Sequence, residues 1–147
     1  MAVQGKKLVD HLQVNSLKFL PLVQTKDGTY LFHPGFIYQS LLKETNISKS
    51  NAQKITEQVI RFLISAKLKL ITAPSIREVV NVHLLKNGFE KERLQYTRIG
   101  LPFRDLKELL NNNTDSEDIV SNILNWIISE FHAVNKLIKE KEREENK

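Results

Sequence analysis

The stretch from Ile71 to Pro102, ITAPSIREVVNVHLLKNGFEKERLQYTRIGLP, leaves its backbone little freedom. Thr72 can cap a helix that carries Pro74 in its first turn, where a missing amide hydrogen matters least. Ile76, Val79, Val80, His83 and Leu84 recur at three- and four-residue spacing and predict the buried stripe of that helix. Asn87-Gly88 stops it in the left-handed manner. A second helix then runs from about Glu90 to Arg98, until Gly100-Leu101-Pro102 breaks the chain. The remaining segments must supply the surfaces against which these two helices are buried.

Upstream, residues 1–18 show little periodicity and read as an arm or a short marginal helix, with Lys6, Lys7 and Lys18 solvated. FLPLVQT, KDG and TYLF, within Phe19 to Phe32, predict a hairpin around Asp27-Gly28, with Pro21 at the start or edge of its first strand. After Pro34-Gly35 a helix is expected over about Phe36 to Glu44, with Phe36, Ile37, Ser40 and Leu41 on one side. The next, about Ser50 to Ala66, places Ala52, Ile55, Val59, Phe62, Leu63 and Ala66 on a core stripe. KLKLI at 67–71 reads as a third strand returning to the hairpin.

Downstream, residues 103–110 predict a short helix and Asn111 to Asn113 a polar hinge. Thr114-Asp115-Ser116-Glu117 has the spacing of a capping box and opens the longest helix, to about Glu140. Val120, Leu124, Ile127, Phe131, Val134 and Ile138 follow a heptad seam. Ile119, Ile123 and Trp126 form a second apolar stripe beside it and are the candidate partner-interface residues. The fold class is therefore α+β and mostly helical, a small three-stranded sheet on a helical bundle plus a long C-terminal helix. The organisation expected is an arm at 1–18, a domain at 19–110 and an amphipathic helix with a charged tail at 114–147.

Composition narrows the chemistry. The 147 residues contain no cysteine, which excludes disulfides, thiolate metal sites and thiol catalysis and predicts a cytoplasmic setting. No apolar run approaches the roughly 18 residues of a membrane span, and the N-terminal residues do not read as a signal peptide. Residues 1–113 hold 17 Lys and Arg against 9 Asp and Glu, whereas residues 114–147 hold 5 against 8. A basic body suits an anionic partner. His11, His33, His83 and His132 share no metal-ligand spacing, and no nucleophile–base or paired-carboxylate set emerges, so a non-catalytic protein is expected.

The hairpin segment Val23-Gln24-Thr25-Lys26-Asp27-Gly28, with Phe32 and Ile37 after it, resembles the opening of an ATP-cone. TAPSIREVVNVHLLKNGFE and YTRIGLPFRDLKELL are similar to the ATP-cones of anaerobic glycyl-radical ribonucleoside-triphosphate reductases, archaeal ones especially. The likeness covers about residues 20–110. It implies a four-helix cone bundle beneath the hairpin that binds ATP or dATP. Carried over by position, the nucleotide-binding residues it implies are Val23, Lys26, Gly28, Thr72, Arg77 and Arg98. Thr25 stands where the family has its first cation of a basic pair, Lys26 replaces a guanidinium, and Phe36 stands where a lysine is usual. Each lost hydrogen bond to a charged group costs about 1.5–3 kcal/mol.

The function expected is a free-standing, non-catalytic regulatory module that binds ATP or dATP and signals to a protein partner or to a second copy through the C-terminal helix. That partner could be a ribonucleotide reductase. The alternative is a basic adaptor with a degenerate cone fold that binds RNA, DNA or a ribonucleoprotein such as the ribosome. Without its ligand, Arg77 would pair with Glu78 or Glu44.

Overall fold

The computed structural model describes residues 14–112 and 115–147. The chain falls into two compact units, residues 1–96 and 97–147. In the first, a 3-10 helix, Val14–Phe19, leads into strands β1 (Leu22–Thr25) and β2 (Gly28–Tyr30). Helices α1 (Gly35–Glu44) and α2 (Lys49–Ala66) then carry the chain to β3 (Leu70–Thr72), followed by α3 (Ala73–Lys86) and α4 (Glu90–Tyr96). The sheet order is β2-β1-β3, with β1 antiparallel to β2 and parallel to β3. The fold is α+β and mostly helical, with a small sheet and a long C-terminal helix, as the sequence predicts.

The hairpin turn lies one residue earlier than the Asp-Gly pair suggests. Thr25 pairs with Gly28, so Lys26 and Asp27 form the two-residue turn and Gly28 opens β2 at φ 139°. A side chain is strained there. The reason for the shift is Thr25, whose Oγ1 accepts from the Asp27 amide at 3.1 Å and donates to the Gly28 carbonyl at 3.3 Å. Pro21 is buried immediately before β1, and the Leu22 amide starts the ladder by donating to the Lys69 carbonyl at 3.0 Å.

Helix α2 is the spine of the first unit. Ala52, Ile55, Thr56, Val59, Ile60 and Leu63 are completely buried, an i, i+3, i+4, i+7, i+8, i+11 stripe. Thr56 is accepted there because its hydroxyl donates to the Ala52 carbonyl at 2.7 Å. Ile37, Tyr38 and Leu41 of α1, Ile71 of β3, Val80 and Leu84 of α3 and Tyr96 of α4 close around it. Each large apolar side chain removed from water contributes about 1.5–3 kcal/mol. Phe62 and Ala66, expected in the stripe, are exposed, as is Phe36 on α1. The stripe turns toward Thr56 and Ile60 instead, because α2 is covered along both of its inner rows.

The ends of α3 follow the sequence. Thr72 Oγ1 accepts from the Ser75 amide at 3.2 Å. At the other end Gly88 sits at φ 79°, and the Phe89 and Gly88 amides donate to the Leu84 and Leu85 carbonyls at 2.9 and 3.1 Å, a Schellman closure. Asn87 and Gln58 exchange two amide hydrogen bonds, 2.7 and 3.3 Å, which tie that end to α2.

In the second unit α5 (Phe103–Asn112) precedes α6 (Ser116–Glu145), and neither helix contains a buried residue. The division at Tyr96 lies ahead of the polar 111–113 segment. Asp115 caps α6 through its Oδ1, which accepts from the Glu117 amide at 3.0 Å. Thr114, the expected start of a capping box, lies outside the described residues, as do Lys6, Lys7 and His11. Helix α6 continues past Glu140 because its charged tail pairs internally, as in Lys141 with Glu144 at 3.4 Å. No helix among the described residues is long and apolar enough to cross a membrane.

Lys67, which ends α2, is the one described non-glycine residue at positive φ, 55°. Lys67→Gly removes the Cβ strain of the left-handed conformation, so urea denaturation should show stability raised by about 0.5–1 kcal/mol. A loss of stability would mean the lysine side chain contributes more than its backbone costs.

Candidate functional site

In the first unit, β1, the chain just after β2, the start of α1 and the start of α3 enclose a cavity of about 300 Å³. Strand alternation explains the inner wall. Val23 and Thr25 point inward from β1 and are half-buried, while Leu22 and Gln24 are exposed. Tyr30 and Phe32, also two residues apart, add aromatic faces from the other strand and its extension, and His33, Phe36, Ile37 and Ser40 follow from the turn into α1. Ala73, Ile76 and Arg77 come from α3 and Tyr96 from α4. The His33 and Phe36 rings lie 5.2 Å apart at 45°, and Phe36 is 68% exposed, available at the mouth.

The polar lining is organised by Arg77. Its guanidinium grips Glu44 with two donors, Nη1 to Oε2 at 2.7 Å and Nη2 to Oε1 at 3.1 Å. The same Nη1 donates to the Tyr96 carbonyl at 2.9 Å, and the guanidinium carbon lies 4.2 Å from the centre of the Tyr96 ring. One side chain thus joins the end of α1, the second turn of α3 and the last residue of α4. Helix α4 ends at Tyr96, ahead of Arg98, and the guanidinium satisfies one of the last-turn carbonyls that this end leaves without an intrahelical donor. The hydrogen bond to Glu44 raises the Arg77 pKa still further above its ordinary value, with burial opposing. Of the two partners the sequence allows, Glu44 is the one used.

Tyr96 is 4% exposed and its hydroxyl lies 2.7 Å from Ser40 Oγ. Ser40 gives its proton to the Ile37 carbonyl at 3.0 Å, so the phenol donates to Ser40. Burial raises the phenol's pKa above its ordinary value.

Of the implied nucleotide residues, Val23 and Arg77 line the cavity. Lys26, in the hairpin turn, Gly28, opening β2, and Thr72, capping α3, are exposed and lie outside its lining. Arg98 is exposed and belongs to the second unit. Phe32 and Ile37, part of the family pattern, line the cavity. The sequence reading did not put Tyr30, His33, Ser40 or Tyr96 there, although the Tyr30/Phe32 alternation is a usable signal. Among the lining residues Arg77 is the only permanent cation. In the second unit an open cleft of about 700 Å³ is lined by Asp105, Glu108 and Glu130 with Asn112, Asn122 and Asn125, and its charge repels anions. Ile119 and Ile123 are half-buried and Trp126 is 42% exposed, its Nε1 donating to Glu130 Oε1 at 2.8 Å. The other oxygen of Glu130 accepts from the Gly100 amide at 3.0 Å.

Two outcomes follow. A double-mutant cycle with Glu44→Ala and Arg77→Ala should give a coupling of about 1 kcal/mol by urea denaturation, reduced by partial exposure of the pair, and additive effects would contradict the link. Because Tyr96 is held protonated in the fold, its contribution is fully present below the ordinary value of 10.0 and is lost as pH rises through the raised value. Stability between pH 9 and 12 should fall more steeply in the wild type than in Tyr96→Phe (about 9 to 12 spans the phenol range). Parallel curves would show that the phenol carries no such linkage. Compared with known protein families, curated proteins and solved structures, the chain matches none.

Proposed function

We propose that this chain is a non-catalytic, ATP-cone-like regulatory module whose cavity receives the base and sugar of ATP or dATP. The observation that carries this reading is the aromatic cavity beneath the hairpin, with a guanidinium in its wall and a helix start beside it. Its size is at the small end of ligand pockets, which suits a base and sugar with the phosphates outside. The phosphates are met by Lys26, Thr72 and Arg77, with Gly28 allowing close approach of the backbone. The setting we assign is cytoplasmic.

Arg77 supplies the response. Glu44 and the Tyr96 carbonyl engage three of its five N–H donors, so a phosphate that takes those donors displaces one of them. Either loss loosens the last turn of α4, the residues that run directly into the second unit at Thr97. The signal then passes to a protein partner through the exposed face of α6. The prior engagement of Arg77 also favours a second reading, a basic adaptor that kept the fold and binds RNA, DNA or a ribonucleoprotein surface.

Thermal unfolding with ATP, dATP and AMP separates the two. Nucleotide at 100 times its dissociation constant should stabilise the protein by about 2.7 kcal/mol, and Lys26→Ala and Arg77→Ala should abolish most of that gain. No stabilisation at millimolar nucleotide, with RNA or DNA binding that falls steeply as salt rises, would replace the first reading by the second.

A further inference from the structure

The geometry points to a second copy of this chain as the partner of α6, packed antiparallel along the heptad seam. This names the partner in the function proposed above, but holds whether or not the cavity binds nucleotide. Val120, Leu124 and Phe131 of the seam are 55%, 52% and 51% exposed, and Ile128 and Leu137, which flank it, are 50% and 46% exposed. The seam's other members, Ile127, Val134 and Ile138, are half-buried, and a run of exposed apolar side chains along one helix face marks an interaction surface.

The seam itself specifies the occupant. With Leu124, Phe131 and Ile138 at a, and Val120, Ile127 and Val134 at d, the next positions outward are Glu117 at a and Lys141 at d. An in-register parallel pair would stack Glu117 on Glu117 of its copy, Lys141 on Lys141 and Phe131 on Phe131. An antiparallel pair instead forms the layers Glu117–Lys141, Val120–Ile138, Leu124–Val134 and Ile127–Phe131, each occurring twice about the two-fold axis. Opposite charges close both ends, about 36 Å apart, and the two largest a residues, Leu124 and Phe131, meet smaller, β-branched d residues. Beside the seam Ile123 meets Leu137 of the copy and Ile128 meets its own equivalent. Lys141 lies 3.4 Å from Glu144 on its own helix, a partly exposed contact that can persist beside Glu117 of the copy.

Sedimentation equilibrium on the whole chain, without nucleotide, tests the proposal. The wild type should be a dimer. Glu117→Lys or Lys141→Glu should each weaken it roughly tenfold, and the double reversal should restore it, because like charges replace opposite ones at both ends. Asp118→Lys, in the same first turn but off the seam, should leave the dimer unchanged, and circular dichroism should show each variant folded. Since the chain contains no cysteine, Leu124→Cys should not cross-link to itself but should cross-link to Val134→Cys when the two variants are mixed. A monomer at all concentrations, indifference to the charge reversals, or self-cross-linking at Leu124→Cys would overturn the proposal. Nucleotide stabilisation of a chain that stays monomeric would leave the cavity reading standing and remove this one.

Discussion

Arg77 holds together elements that hydrophobic burial alone would leave independent. Helix α2 gathers the core, but its apolar contacts are non-directional and do not join the ends of α1 and α4 to α3. The guanidinium ties those ends to α3, because a planar fork with several fixed donors can satisfy a carboxylate and a backbone carbonyl at once. Glu44, the last residue of α1, lies at one side of the fork, the Tyr96 carbonyl of α4 at the other, and the Tyr96 ring lies under the cation. The same side chain forms part of the cavity wall, so the contact that links the helix ends is also the one an anion would compete for.

That competition gives the proposed function its physical content. A triphosphate offers Arg77 the same bidentate acceptor geometry as Glu44. Exchange of one for the other changes what α4 is fastened to, while α2 and its fully buried stripe are untouched. A small module can then respond to a ligand without rearranging its core. Thr25 adds to this economy: its hydroxyl serves the turn, so the position contributes shape to the cavity and no charge.

The parts of the fold that depend on neighbouring residues were legible in the sequence. The Thr72 cap, the Asn87-Gly88 stop and the α2 stripe all follow from interactions within a few positions. What the sequence did not disclose depends on residues far apart in the chain. Arg77 and Glu44 are separated by 33 positions, so pattern left Glu44 and Glu78 as equal partners. The hairpin turn moved by one residue because a threonine hydroxyl outweighed the Asp-Gly signal. Phe36 and Phe62 fit an apolar stripe by spacing, yet only tertiary packing decides which side of a stripe is covered. For the site, the family pattern led to Val23 and Arg77 in the cavity. Lys26, Gly28 and Thr72 lie at its surroundings' exposed turns, and Arg98 falls in the other unit. Most of the aromatic lining was missed because such residues are indistinguishable from core by composition.

In the function proposed, Arg77 couples the cavity to the end of α4. Native-state amide hydrogen exchange, followed residue by residue with and without ATP, measures it most directly. ATP should speed exchange of the last-turn amides of α4, near Gln95 and Tyr96, while the α2 amides from Ile55 to Leu63 stay equally protected or gain protection. Equal or greater protection at the end of α4 with ATP bound would contradict it.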